Sequence, residues 1–290
     1  MSEKGSSSPE GSPEVLLEPQ VVDDTIDNYY DGFPGFDEFG GLDSEIAQLK
    51  QSYLLAKNPD LCEEWDIEPV KGIMLCGPGG VGKTGLTKAL AKETDSYLEI
   101  VQPSSILTKW VGEPVRKLRE AFEDAADNDA STILFFDEFD GLFSSNASGN
   151  PGVQQSLQSE MKTLMNSVPR NVLVIAATNS LEGLDPALLR AGRFDTVIQI
   201  PLPRPEVRGA IIGRLVYRQE HLYDLEGVLN ALPDLVAQTD GMSGADITNI
   251  LKAARTKRVV SHLNLGTELG RITSSDIMTA IAQHRTSRPS

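Results

Sequence analysis

The sequence predicts an α/β fold, a parallel five-stranded sheet flanked by helices and followed by a small all-α domain. Three observations carry that expectation. Short apolar runs recur from Phe36 onward without polar alternation, the pattern of strands buried on both faces. Between them lie stretches of helical period, long enough to serve as crossovers between parallel strands. Pro201, Pro203 and Pro205 then interrupt the pattern, and the chain beyond them reads as helical.

The expected strands are residues 72–76, 97–101, 133–136, 172–177 and 197–200, and the expected helices between them include 84–92, 115–127 and 154–166. Beyond the prolines, Ser243-Gly-Ala-Asp246 and Thr273-Ser-Ser-Asp276 read as capping boxes, in which hydroxyl and carboxylate satisfy otherwise unpaired amides at a helix start. The expected organisation is therefore an acidic tail at 1–31, an α/β domain at 32–203 and a helical domain at 204–290.

Composition removes whole classes of function. The chain has 290 residues, 40% of them hydrophobic, and its longest apolar runs fall far short of the roughly 20 residues a membrane helix requires. The opening Met-Ser-Glu-Lys has neither a basic nor an apolar leader region, so the expected address is cytoplasmic. Cys62 and Cys76 stand alone, and His221, His262 and His284 are scattered, which forms no metal knuckle. A formal net charge of -16 repels phosphate backbones and makes nucleic acid an unlikely partner in the electrostatic sense. Residues 1–31 carry eight acids against Lys4, a solubilising leader or a docking segment for an adaptor.

Chemistry concentrates in a few motifs. Gly77-Pro78-Gly79-Gly80-Val81-Gly82-Lys83-Thr84 follows an apolar strand and opens a helix, the setting of a phosphate-binding loop. Its glycines let backbone amides curl round phosphates, Lys83 would reach the β and γ phosphates, and the Thr84 hydroxyl would ligate magnesium. An apolar strand ending in Asp137-Glu138 sets two carboxylates at the sheet edge where α/β ligands sit. Asp137 would hold the magnesium shell and Glu138 would polarise the attacking water. Asn179 closes the next strand and would orient water or the γ phosphate. Arg190 and Arg193 follow, three residues apart, as candidates to stabilise a transferring phosphate.

The order of these motifs resembles that of AAA-family ATPases, the branch that includes katanin, spastin, fidgetin and the proteasomal ATPases. The resemblance runs from about Phe36 to Ser290 and is carried by the glycine loop, Asp137-Glu138, Asn179, the Leu184-Asp-Pro-Ala-Leu-Leu-Arg-Ala-Gly-Arg-Phe-Asp195 segment and Gly241-Met-Ser-Gly-Ala-Asp246. It implies a P-loop NTPase sheet with a helical lid, with ATP and Mg2+ as cofactors. Phe39, Gly40 and Gly41 match the segment whose backbone contacts adenine, and Gly244 and Ala245 match lid residues packed near the nucleotide. Arg190 and Arg193 match fingers that act on a neighbouring subunit's ATP, which implies a ring, expected as a homo-hexamer. Lys109, Trp110 and Val111 match a pore loop whose aromatic grips an extended polypeptide; without the resemblance, Trp110 also reads as a core aromatic.

Departures accompany these matches. Gly79 and Val81 stand where the family commonly has Pro and Thr, and Asn166-Ser167-Val168 where it usually has Asp-Gly-Phe. The stretch 144–152 is small and polar, without the basic residues of a second pore loop. The leading expectation is an ATP-driven ring that threads and remodels protein substrates. The alternatives are a nucleic-acid motor or loader, for which Arg255, Lys257 and Arg258 form a basic cluster, and a nucleotide-dependent regulatory switch. Glu138, Asn179 and both arginines favour turnover over a switch.

Overall fold

The computed structural model describes residues 29–107, 112–128, 130–143, 151–266 and 269–287. The chain divides into two units, residues 1–32 and 33–290. In the first, the described residues form a turn in which the rings of Tyr29 and Tyr30 meet edge to face at 5.0 Å.

The second unit opens with a 3-10 turn at Phe36–Glu38, then helices α1 (Asp43–Lys57) and α2 (Pro59–Glu64). Strand and helix then alternate: β1 (Gly72–Cys76), α3 (Lys83–Glu93), β2 (Tyr97–Val101), α4 (Pro103–Ile106), α5 (Glu113–Asp127), β3 (Thr132–Phe136), α6 (Phe139–Phe143), α7 (Pro151–Asn166), β4 (Val172–Thr178) and β5 (Thr196–Gln199). The remainder is helical: α8 (Pro205–Tyr217), α9 (Leu225–Asn230), α10 (Leu232–Gln238), α11 (Gly244–Leu265) and α12 (Ser274–Ser287).

All sheet pairings are parallel, in the order β2-β3-β4-β1-β5. Every residue of β1, β3 and β4 is buried, as their unbroken apolar runs predict. The same expectation fails for the edge strands. Tyr97 and Ile100 of β2 are exposed, as is Gln199 of β5, because an outer strand has a neighbour on one side only and its outer margin is covered less completely.

Two of the apolar cores bear on the site. One joins β1, β3 and β4 to α5, α6 and α7, with Phe136, Phe139, Phe143 and Phe194 at its centre. Phe139 stacks on Phe143 at 4.3 Å and meets Phe194 edge-on at 5.1 Å, pairs that each add about 0.5–1.5 kcal/mol beyond the burial of their area. The other core lies entirely within α8–α12 and the segments joining them, with Ile212, Val216, Tyr223, Leu235, Ile247 and Ile281 buried. Helix starts follow their sequence signals. Gly112, left-handed at φ 85°, precedes α5, whose first turn holds Pro114. Both capping boxes form: Ser243 and Asp246 exchange bonds at the head of α11, and Thr273 and Asp276 do so at the head of α12.

Candidate functional site

Strand register brings the sequence motifs together. Cys76 pairs with Thr178 and Phe136 with Ala176, so the loop after β1, the acids after β3 and Asn179 after β4 emerge side by side at the carboxyl edge of the sheet. Adjacent strands stand about 4.8 Å apart, which puts these side chains within hydrogen-bonding reach of one another.

Lys83, the first residue of α3, is buried, and its ammonium donates to Gly77 O at 2.7 Å, Pro78 O at 3.0 Å and Asn179 Oδ1 at 2.9 Å. Burial pulls its pKa below the ordinary lysine value, and the negative charges of Asp137 and Asp140 oppose that pull. Thr84 Oγ1 donates to Asp137 Oδ2 at 2.9 Å, while the Glu138 N–H donates to Asp137 Oδ1 at 3.0 Å. Glu138 itself is exposed and left-handed, with φ 51°. A hydroxyl and a carboxylate oxygen already in contact are the hard donors Mg2+ takes from protein when phosphates and water complete its shell. The residues therefore fit that ion. Among the described residues, no cluster of three or more His, Cys, Asp or Glu offers another metal site.

Gly80 is left-handed, and a Cβ there would lie 2.6 Å from Ala245 Cβ and 2.7 Å from Ser243 Oγ. That close approach explains its residue type. The capped start of α11 rests on the glycine loop after β1, where the Ala245 N–H donates to Gly80 O at 3.2 Å. Gly244 and Ala245 thus lie against the glycine loop. Phe39 packs its ring on Gly82, whose φ of 103° and lack of a side chain admit it. Phe39, Gly40, Gly41, Gly80, Val81 and Gly82 line one side of a cavity of about 500 Å³, and α8 lines the other. A Cβ on Gly79 would lie 3.9 Å from Asn179 Oδ1.

Sequence reasoning missed Asp140. Its Oδ1 accepts from Thr178 Oγ1 at 2.9 Å and from the Asn179 N–H at 3.3 Å, so it fixes the end of β4. The one mark it leaves in the sequence is its place as a third acid, in Asp137-Glu-Phe-Asp140. Also missed was Glu38, which accepts from Arg214 of α8 and from Arg218 just beyond that helix.

The arginines lie elsewhere. A Cβ on Gly72, the first residue of β1, would lie 2.6 Å from Arg193 O, which places that loop beside the amino edge of the strand. Gly77 lies five residues farther along, roughly 16 Å at 3.3 Å per residue. Arg193 Nη1 donates to Ala187 O at 2.6 Å, and the Arg193 N–H donates to Arg190 O at 3.1 Å. Arg190 is exposed and its guanidinium makes no hydrogen bond among the described residues. Lys109, Trp110 and Val111 lie outside the described residues, as do 144–150.

The sequence model of the ATPase family associated with various cellular activities matches residues 73–202. The chain is 37% identical over 253 residues to the proteasome-activating nucleotidase of Saccharolobus solfataricus, covering 85% of this chain and 61% of that protein. It is 37% identical over 258 residues to the one of Methanoregula boonei, covering 86% and 56% respectively. Against the one of Aeropyrum pernix it is 39% identical over 225 residues, covering 76% and 54%. The chain thus spans little more than half the length of these relatives. The strands that assemble this carboxyl edge lie almost wholly inside the matched segment, and over residues 73–202 the chain carries a domain of the ATPase family associated with various cellular activities, the AAA family.

Proposed function

We propose that this chain is the ATP-hydrolysing subunit of a ring, a homo-hexamer, that unfolds or remodels protein substrates. Its organisation is read as a tail at 1–31, an α/β ATPase domain at 32–203 and a helical lid at 204–290. The observation that carries the reading is the separation of the two halves of the chemistry: the phosphate-side groups sit at the carboxyl edge of β1 and the arginine loop beside its amino edge. A finger that cannot reach its own chain's nucleotide serves a neighbour's, so a complete site needs two chains.

In this reading the glycine loop and the head of α3 bind the phosphates, with Lys83 exchanging one of its acceptors for a phosphate oxygen. Thr84 and Asp137 would hold Mg2+, which when bound would supply charge to neutralise the transferring phosphate. Glu138 takes a proton from the attacking water, and Asn179, oriented by Asp140, positions the γ phosphate or that water. Phe39, Gly40, Gly244 and Ala245 enclose the base side. Arg190 and Arg193 of the adjacent subunit stabilise the transition-state charge.

Trp110, flanked by Lys109 and Val111, is assigned to gripping an extended polypeptide, because a flat aromatic contacts side chains of any sequence. The relatives' name, proteasome-activating nucleotidase, supports a protein substrate destined for a protease. The acidic tail is proposed as an adaptor site and the cytoplasm as the location; among the described residues no helix is long and apolar enough to cross a membrane. Affinity capture with Glu138→Gln tests the substrate class. A stalled ATP-bound ring retains proteins if the reading holds, and recovery of nucleic acid in their place refutes it.

A further inference from the structure

We propose that Glu38, Arg214 and Arg218 form a latch that governs how fast nucleotide leaves the cavity at the base side of the site. The inference rests on the nucleotide reading above and adds residues to which that reading assigns no part.

Residues 33–42 run as a strap between two bodies. On one side the strap leans on the phosphate-loop helix and its neighbours: the Phe39 ring packs on Gly82 and Gly85, Lys92 Nζ donates to Phe33 O at 3.2 Å, and Lys50 Nζ stands 4.6 Å above the Phe36 ring. On the other side it leans on α8, which belongs to the separate helical core. Gly41, left-handed at φ 72°, comes so close to Val207 that a Cβ would lie 2.2 Å from it. Arg214 donates from Nη1 to Glu38 O at 3.0 Å and from Nη2 to Glu38 Oε2 at 2.6 Å, and Arg218 Nη2 adds a bond to the same carboxylate oxygen at 3.2 Å.

These bonds cross the cavity wall. Glu38, Arg214 and Arg218 all line it, so separating the strap from α8 parts two of its sides. The 3-10 turn that carries Glu38 buries none of its residues, which leaves the strap among the parts of the fold with least to hold it beyond the contacts named. The charged groups are placed for a bond that holds and still opens: the side chains of Glu38 and Arg214 are 32% and 35% exposed. A fully buried pair would be costly to part, and a fully exposed one would hold weakly. Arg214 uses its planar fork on a carbonyl and a carboxylate together, which a lysine cannot reproduce.

The test is stopped-flow release of a fluorescent N-methylanthraniloyl-ADP with Mg2+ from the full chain. Glu38→Gln and Arg214→Met should each speed release roughly five- to tenfold, the effect of losing one charge-assisted pair, and the double variant should be no faster than the faster single one. Arg214→Lys should resemble Arg214→Met. Arg218→Gln, which removes the longer and more exposed contact, should accelerate release by about twofold and serves if a stronger variant fails to fold. Release within error of wild type in the folded variants, or single effects that multiply in the double variant, overturns the latch while leaving the nucleotide site intact. A wild-type chain that does not bind the probe overturns the nucleotide reading itself.

Discussion

The two edges of the central sheet differ in how their polar groups are held. At the carboxyl edge, Lys83, Thr84, Asp137, Asn179 and Asp140 bond to one another or to the loop backbone before any ligand is considered. At the amino edge, Arg193 is tied to Ala187 O while Arg190 extends into solvent. The carboxyl edge is preorganised by its own chain. The amino edge fixes the backbone of its loop through buried Phe194 and the Asp185 cap, and leaves a cation available to something outside the chain.

If the carboxyl edge alone binds nucleotide, Lys83→Ala abolishes binding of ATP, measured by calorimetry or fluorescence, whereas no amino-edge substitution does so. Next in size, Glu138→Gln binds ATP normally but loses up to about 10⁴-fold in turnover, since it removes the group that handles water and spares those that hold phosphate. Near-normal turnover would reassign the base. Arg190→Ala lowers hydrolysis on the order of 10³-fold with little change in ATP affinity. Mixing it with Glu138→Gln chains restores part of the activity, because some interfaces pair an intact arginine with an intact glutamate. Co-assembly without recovery would place the finger's action within one chain.

A smaller effect reports on how the amino edge is built. Asp185 caps the 3-10 turn at Pro186–Leu189 through the Ala187 N–H and pairs with Lys162. The Lys162 hydrogen bond, then that of Ala187, holds its pKa below the ordinary carboxylate value. A depressed carboxylate stabilises the fold above its unfolded pKa and loses that contribution as pH falls through the folded one, so this part of stability is present at neutral pH and disappears in acid below about pH 4. Asp185→Asn, which keeps the cap but loses the charged pairing with Lys162, should cost about 1 kcal/mol at pH 7, a shift of roughly 2–4 °C in melting, and less in acid. An equal cost at pH 7 and pH 3 would deny the charge any part.

The grouping of the carboxyl edge was legible because each motif is contiguous and directly follows a strand, as at residues 77–84 after β1. Strand burial was legible in the middle of the sheet and not at its margin, since Tyr97 and Ile100 look like core residues until the strand order makes β2 an edge. Glu38 could not be connected to Arg214 from sequence, because 176 residues separate partners that only the packing of α8 brings together. Asp140 was passed over for a different reason. Its partners are a backbone amide and a threonine hydroxyl on another strand, and neither leaves a trace in spacing.

The left-handed backbone at Glu138 sets activity against durability. A side chain other than Gly, Asn or Asp held at φ 51° carries a conformational cost of about 1 kcal/mol or more, and here it falls on the residue proposed to handle water. A laboratory screen for heat resistance would therefore favour Glu138→Asn, which relieves the backbone, raises the melting temperature and removes turnover. Thermal hardening of this chain should be sought by selecting for retained hydrolysis at every round, or the first gain will be an inert protein.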